Sequence, residues 1–248
     1  MSDRPPPSTL KGRLADVYVP ALVDGALEAL SRRLGNRATI DDPSYGRASS
    51  LASCESLIGR VSEAFRAKGA LYRHVYSTTG VSLDAAEGVI AMTQGGEKVE
   101  LPIAVVAERR RLREIELRIY YAAEPGSGRT PRGPIVGTDF TTPTPTLVST
   151  VVDALRTGDT ETGAASFEDT GRIVDAHGNK HGKRDGQLRS FLDGLGAIAV
   201  LVSGSADDGR TCCLETMIAH GGRPAAPAVL SLKRGDSGLL RELRIYWD

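Results

Sequence analysis

Apolar positions along this chain follow two periods, and the periods alternate in blocks. Between Asp16 and Leu34, Val19, Leu22, Val23, Ala26, Leu27, Leu30 and Leu34 fall at i, i+3, i+4, i+7, i+8, i+11 and i+15. That spacing is one stripe of an amphipathic helix. Asp16 serves as its N-cap, Pro20 sits in its first turn and Gly35 suits a left-handed C-cap. Arg37–Asp42 reads as a short strand stopped by Pro43 and the Ser44-Tyr45-Gly46 turn. A second helix covers Cys54–Lys68, with Leu57, Ile58, Val61 and Phe65 inward and Gly69 as cap. The pattern then changes to strand-like runs at Leu71–Ser77, Glu87–Gln94, Val99–Glu108 and Glu114–Tyr121. Gly95-Gly96 reads as a hairpin turn, and Arg109-Arg110-Arg111 as another tight connection.

The whole order then occurs again. Leu147–Leu155 is a helix, Gly171–Asp175 a strand and Lys183–Leu195 a helix capped by Gly196. Strands follow at Ala197–Val202, Thr211–Ala219, Ala228–Leu232 and Leu239–Trp247. Glu116-Leu-Arg-Ile-Tyr120 recurs as Glu242-Leu-Arg-Ile-Tyr246 at an offset of 126, and Gly69-Ala70 as Gly196-Ala197 at 127. Glu87 matches Glu215 at 128, and Asp41 is aligned with Asp175 at 134. Repetition of order, spacing and residues implies a duplicated domain. The expected division is an arm over residues 1–14, a first domain over 15–122, a Gly/Pro/Thr-rich linker over 123–144 and a second domain over 145–248. Within the linker, Ile135–Phe140 is expected to pair as a strand or dock on the first domain.

Each half therefore reads as α+β, with helices packed on one face of a curved antiparallel sheet. The other face needs cover. The two halves are expected to form a pseudo-twofold pair, sheet against sheet, as an intramolecular pseudo-dimer in a monomer, with higher oligomers left open.

Composition narrows the classes of function. Lys+Arg and Asp+Glu are both 31, giving zero net charge, whereas phosphate binding draws on a surplus of cations. Nucleic acid and membrane are therefore not expected as partners. No apolar run reaches membrane-spanning length, and the Pro-rich N-terminus has no signal-peptide core. Cys54, Cys212 and Cys213 have no framework spacing, so buried thiols in a cytoplasmic protein are expected.

The closing Glu-x-Arg-x-Tyr strand, with the order around it, resembles the NTF2-like superfamily, in particular its SnoaL-like (polyketide cyclase) and ketosteroid-isomerase-like branches. Phe167-Glu-Asp-x-Gly-Arg-Ile-Val-Asp-x-x-Gly-x-x-His181-Gly182 resembles the family's entry into its pocket. The resemblance implies two tandem cystatin-like cones, each enclosing an apolar pocket, with no cofactor. It also implies that an Asp on the first strand removes a proton alpha to a carbonyl. Tandem copies are similar to the epoxide hydrolases of polyether biosynthesis, which pair such an Asp with a Glu on the strand after the helix. Here that strand reads Leu71-Tyr72-Arg73-His74 or Ala197-Ile-Ala-Val-Leu201 and supplies no Glu.

Candidate catalytic residues are Asp41 and Asp175, as bases in an apolar cone, and His74 as a neutral acid–base group. Their plainer readings are turn capping for the aspartates and a hydrogen-bonded filler for the histidine. Asp42 is read as the solvent-facing neighbour. Tyr45, Tyr72, Glu87, Glu215 and His177 are candidate substrate-binding residues, although the glutamates equally suit pairing with arginines on the other face. Arg118, Tyr120, Arg244 and Tyr246 offer either an oxyanion site or a charged interface. His177 and His181 flank a Gly-containing turn and do not define a metal site; no metal is expected.

The function these readings give is a cofactor-independent enzyme acting on an apolar, polyketide- or steroid-like metabolite by proton transfer, isomerisation or cyclisation. The alternatives are a non-catalytic small-molecule-binding or assembly module, and an epoxide hydrolase-like ring-opening enzyme.

Overall fold

The computed structural model describes residues 10–110, 114–122, 132, 135 and 144–247. Residues 1–9 of the arm and most of the linker, including all but Ile135 of the strand expected at Ile135–Phe140, lie outside these. The chain divides into two compact units, one of residues 1–77 and 81–131 and the other of residues 132–248 with Thr78–Gly80, and each has its own apolar core.

In the first unit the elements are α1 (Leu14–Asp24), α2 (Leu27–Leu34), β1 (Ala38–Asp42), β2 (Gly46–Ala48), α3 (Leu51–Ala67), β3 (Leu71–Thr79), β4 (Leu83–Gln94), β5 (Glu97–Arg109) and β6 (Ile115–Tyr120). The sheet order is β2-β1-β6-β5-β4-β3. β4, β5 and β6 are joined through antiparallel pairs such as Glu87↔Ala104 and Ala104↔Tyr120, with β3 beside β4 at the edge. β1 instead lies parallel to β6, with Ile40 beside Leu117. The sheet is thus mixed rather than antiparallel throughout, because α3 carries the chain from β1 and β2 at one edge to β3 at the other. Leu117, Ile119 and Tyr121 join α1, α2 and α3 in one core, each large apolar side chain contributing about 1.5–3 kcal/mol by leaving water.

Local sequence explains several boundaries. The single helix expected over Asp16–Leu34 is two helices, because Gly25 takes φ 75° and its amide closes on Ala21 O. Asp16 is not the N-cap: that position falls on Arg13, which makes no side-chain cap, and Asp16 instead accepts from the Ser77 hydroxyl at 2.6 Å. Pro20 lies inside α1, past its first turn. α3 starts earlier than expected because Ser50 and Ser53 cap each other's backbone amides. Gly95 and Gly96 both have positive φ, 57° and 88°, between paired Gln94 and Glu97. That is the two-residue turn expected for the β4–β5 hairpin.

The second unit has α4 (Thr146–Thr157), α5 (Thr160–Ala165), β7 (Phe167–Val174), β8 (Lys180–Gly182), α6 (Gln187–Leu195), β9 (Ala199–Asp207), β10 (Thr211–Ala219), β11 (Ala226–Arg234) and β12 (Leu240–Trp247). Its sheet order, β8-β7-β12-β11-β10-β9, repeats the first, and β7 lies parallel to β12. Register shifts at Glu215/Thr216, Lys233/Arg234 and Leu240/Glu242 bend this sheet. The hairpins differ in length. β4 and β5 have 12 and 13 residues, while β10 and β11 have 9 each.

Side chains alternate across both sheets. Leu117 and Ile119 face the helices, and Leu243 and Ile245 do so in the second unit. The opposite faces carry Glu116, Arg118 and Tyr120, and Glu242, Arg244 and Tyr246, all buried. Acid meets base there within each half. Glu116 contacts Arg47 at 3.0 Å and Arg110 at 2.8 Å, and Arg118 contacts Glu108 at 2.8 Å. Glu242 contacts Arg172 at 2.5 Å and Arg244 at 2.6 Å. Among the described residues no helix is long and apolar enough to cross a membrane.

Candidate functional site

The phase of β1 decides which aspartate points inward. Ala38, Ile40 and Asp42 are buried toward the helices, while Thr39 and Asp41 are half-buried on the other face. Asp41 therefore does not line the cone. It faces Arg47, at 3.8 Å. Asp42 occupies the inward place and is 3% exposed, the reverse of the expectation.

Asp42 Oδ1 is the focus of three donors: the amides of Ser44 and Tyr45 and the hydroxyl of Tyr121, each at 2.9 Å. Pro43 ends β1 and turns the chain back, so the next two free amides fall on the Asp42 carboxylate, an Asx-type turn. Tyr121 arrives from the end of β6. Burial pushes its hydroxyl well above the ordinary 10.0, and the neighbouring Asp42 carboxylate pushes the same way. Tyr18, from α1, has a buried hydroxyl without a hydrogen-bond partner among the described residues. It too is pushed up, by burial first and then by Asp42. Burial and Asp42 also raise Tyr45, opposed by Arg60, whose guanidinium lies 5.5 Å over the Tyr45 ring.

Tyr45 and Tyr121 form part of the wall of a cavity of about 430 Å³. Ser44 and Tyr45 come from the β1–β2 turn, and Ala64, Phe65 and Lys68 from the end of α3. The outer part of the β4–β5 hairpin supplies Met92, Gln94, Val99, Glu100 and Leu101. The cavity thus uses the extra length of this hairpin. Its volume is in the range of about 300–1,000 Å³ usual for small-ligand sites, and its wall is mainly apolar and aromatic.

In the second unit Ile173 lies beside Leu243 as Ile40 lies beside Leu117. The ladder therefore equates Asp175 with Asp42, at an offset of 133, and not with Asp41. Asp175 accepts from the amides of His177 (3.0 Å) and Asn179 (2.9 Å), from Asn179 Nδ2 (2.9 Å), and lies 3.2 Å from His181 Nε2. Burial alone would raise its carboxyl; Asn179, His181 and the backbone amides together hold it below the ordinary 3.8. His181 stacks on Phe191 with ring centroids 4.4 Å apart. Trp247 stands where the first half has Tyr121, packed against the second core. A cavity of about 10 Å³ between α4, α5 and α6 reaches neither Asp175 nor His181.

The other expected residues scatter. His74 is exposed on β3, 3.2 Å from the Ser77 hydroxyl, which itself donates to Asp16; it is not part of the cavity wall. Tyr72 lies against Gly88, with its hydroxyl on Glu87 O at 3.4 Å, and is also outside that wall. Glu87 and Glu215 share the faces of Tyr120 and Tyr246, away from the helices, so neither enters a cone. His177 lends Asp175 its amide while its side chain is exposed. Of the expected set only Tyr45 lines the cavity. Tyr121, Lys68 and His181 were not singled out for these places. The signal for Tyr121 was its position just past the repeated Glu-Leu-Arg-Ile-Tyr, where the copies part into Tyr and Trp. Among the described residues no group of three or more His, Cys, Asp or Glu side chains could hold a metal ion.

No protein-family model matches the chain, and no curated protein does. Solved structures do. An NTF2-like protein of unknown function from Cytophaga hutchinsonii is 18% identical, covering 41% of this chain and 87% of its own, with TM-score 0.37. An LEH-like epoxide hydrolase from M. tuberculosis is 18% identical over 41% and 80%, with TM-score 0.36. A cystatin fold protein from Novosphingobium aromaticivorans is 13% identical over 40% and 93%, with TM-score 0.35. The strand order and the helix layer repeat in the two halves, which are two tandem α+β domains, each with helices packed on a six-stranded sheet.

Proposed function

We propose that the first half binds a small apolar metabolite, polyketide- or steroid-like, in the cavity beside α3 and acts on it by proton transfer. The observation that carries this reading is the Tyr121–Asp42 bond. Tyr121 lines the cavity, and the carboxylate behind it accepts the Tyr121 proton. As the substrate gives a proton to Tyr121 Oη, Tyr121 passes its own proton to Asp42. Reversal at a neighbouring carbon returns both protons and leaves an isomer, with no net change in the enzyme. A raised tyrosine suits this role, because it stays neutral on either side of the transfer. The buried cysteines Cys54, Cys212 and Cys213, kept as thiols, fit a reducing, cytoplasmic setting.

A second reading, binding without catalysis, is favoured by the crowding of Asp42 Oδ1, where two of the three donors are turn amides. Mass spectrometry of small molecules retained by the purified protein would identify the ligand. Incubation of that ligand in D₂O then separates the readings. Proton transfer incorporates deuterium with the native protein and not with Tyr121→Phe, which still binds. No exchange with the native protein rejects catalysis and leaves binding.

A further inference from the structure

We propose that the ligand of the first-half cavity is an amphipathic anion, its apolar body inside and a carboxylate or sulfonate head against Lys68. This rests on the cavity being a ligand site and adds the chemical class of its occupant.

The argument begins with the charges on one face of α3. Arg60, Ala64 and Lys68 are spaced four apart and so share a face. Ala64 and Lys68 line the cavity, and Arg60 reaches it through the Tyr45 ring. Neither Arg60 nor Lys68 makes an ion pair among the described residues, whereas the cations on the far face of the sheet, Arg47, Arg110 and Arg118, meet acids. The acid on the cavity wall, Glu100, lies 3.8 Å from Arg73, which offsets its charge. Lys68 follows the last turn of α3 and there also suits the negative end of the helix dipole. That does not account for Arg60, two turns earlier. The second half provides an internal contrast. At the offset of 127 that carries Gly69 to Gly196, Lys68 becomes Leu195 and Arg60 becomes Gln187. The cations therefore belong to the first half and not to the shared fold.

Two polarity-sensitive dyes of similar apolar body test the inference: the anionic 1-anilinonaphthalene-8-sulfonate and the neutral N-phenyl-1-naphthylamine. Lys68→Gln is expected to weaken the anionic dye about tenfold, the worth of one charged contact, and the neutral dye less than twofold. Lys68→Arg is expected to keep the anionic dye. Equal loss of both dyes, or no loss of either, overturns the anion assignment while leaving the cavity reading in place. Ala64→Trp, which fills the cavity, is expected to displace both dyes. If the native protein binds neither, or Ala64→Trp displaces neither, the ligand site and its anion preference fail together.

Discussion

Asp42 and Asp175 occupy the same place in their two sheets, each two residues beyond an isoleucine that lies beside the leucine of the repeated Glu-Leu-Arg-Ile-Tyr. Their surroundings have diverged. Asp42 takes the hydroxyl of Tyr121, while Asp175 takes Asn179 and the imidazole of His181. One position of a duplicated fold thus holds a Tyr–Asp couple against a cavity and, in the other copy, a His–Asp pair on an edge hairpin.

The Asp42 couple is open to mutation. Tyr121→Phe is expected to lower stability by about 1–2 kcal/mol, and Asp42→Ala by about 2–3 kcal/mol because two turn amides also lose their acceptor. The two losses are not additive, since both remove the same bond. Urea unfolding of the single and double variants measures the coupling.

Acid should weaken the second half. Glu242 is held below its ordinary 4.5: burial raises it, but Arg244 and Arg172 outweigh that. Asp207 is likewise held below 3.8 against the pull of burial, chiefly by Arg234. A carboxyl lowered on folding stabilises the native state above its unfolded value, and the gain is lost as pH falls through the folded one. Stability should therefore hold near neutrality and decline below about pH 4.5. Glu242→Gln should flatten that decline while lowering the plateau, as read by denaturant midpoints across pH.

Gly88 should not tolerate a side chain while Tyr72 is in place. A Cβ at Gly88 would lie 2.2 Å from Tyr72 Cε2. Gly88→Ala is expected to cost about 1–3 kcal/mol. In a Tyr72→Ala background the same change should cost less than about 0.5 kcal/mol. Thermal melts of the four proteins complete the cycle.

The three thiols should be silent in the native state. All are buried. Cys212 is pushed up to about 12, by burial and then by Asp207, and burial also raises Cys54. Since the thiolate is the reactive form, a disulfide reagent should titrate none of the three within minutes at neutral pH, and all three in denaturant.

The architecture was legible because it rests on long periodic runs. Thr211–Ala219 was read to the residue, and the Gly95-Gly96 turn fell between the strands that flank it. What failed was local. Gly25 sits within an unbroken apolar stripe, so its break was invisible. α5 has six residues and no large apolar side chain, and β2 and β8 have three each. Asp41 was exchanged with Asp42 because adjacent aspartates at the end of a five-residue strand give no phase; only pairing with β6 supplies it. An apolar pocket was expected from the resemblance and Tyr45 was placed in it, but the rest of its wall could not be read. Its wall comes from the β1–β2 turn, α3, the β4–β5 hairpin and the end of β6, and depends on how long that hairpin is.

The exchange of Tyr121 for Trp247 bears on stoichiometry. Where one copy offers a hydroxyl over an open space, the other seats an indole on its own hydrophobic cluster. Calorimetric titration of the full chain is then expected to count one equivalent of ligand per polypeptide, the later copy having kept the scaffold of its twin and exchanged the hydroxyl for an indole.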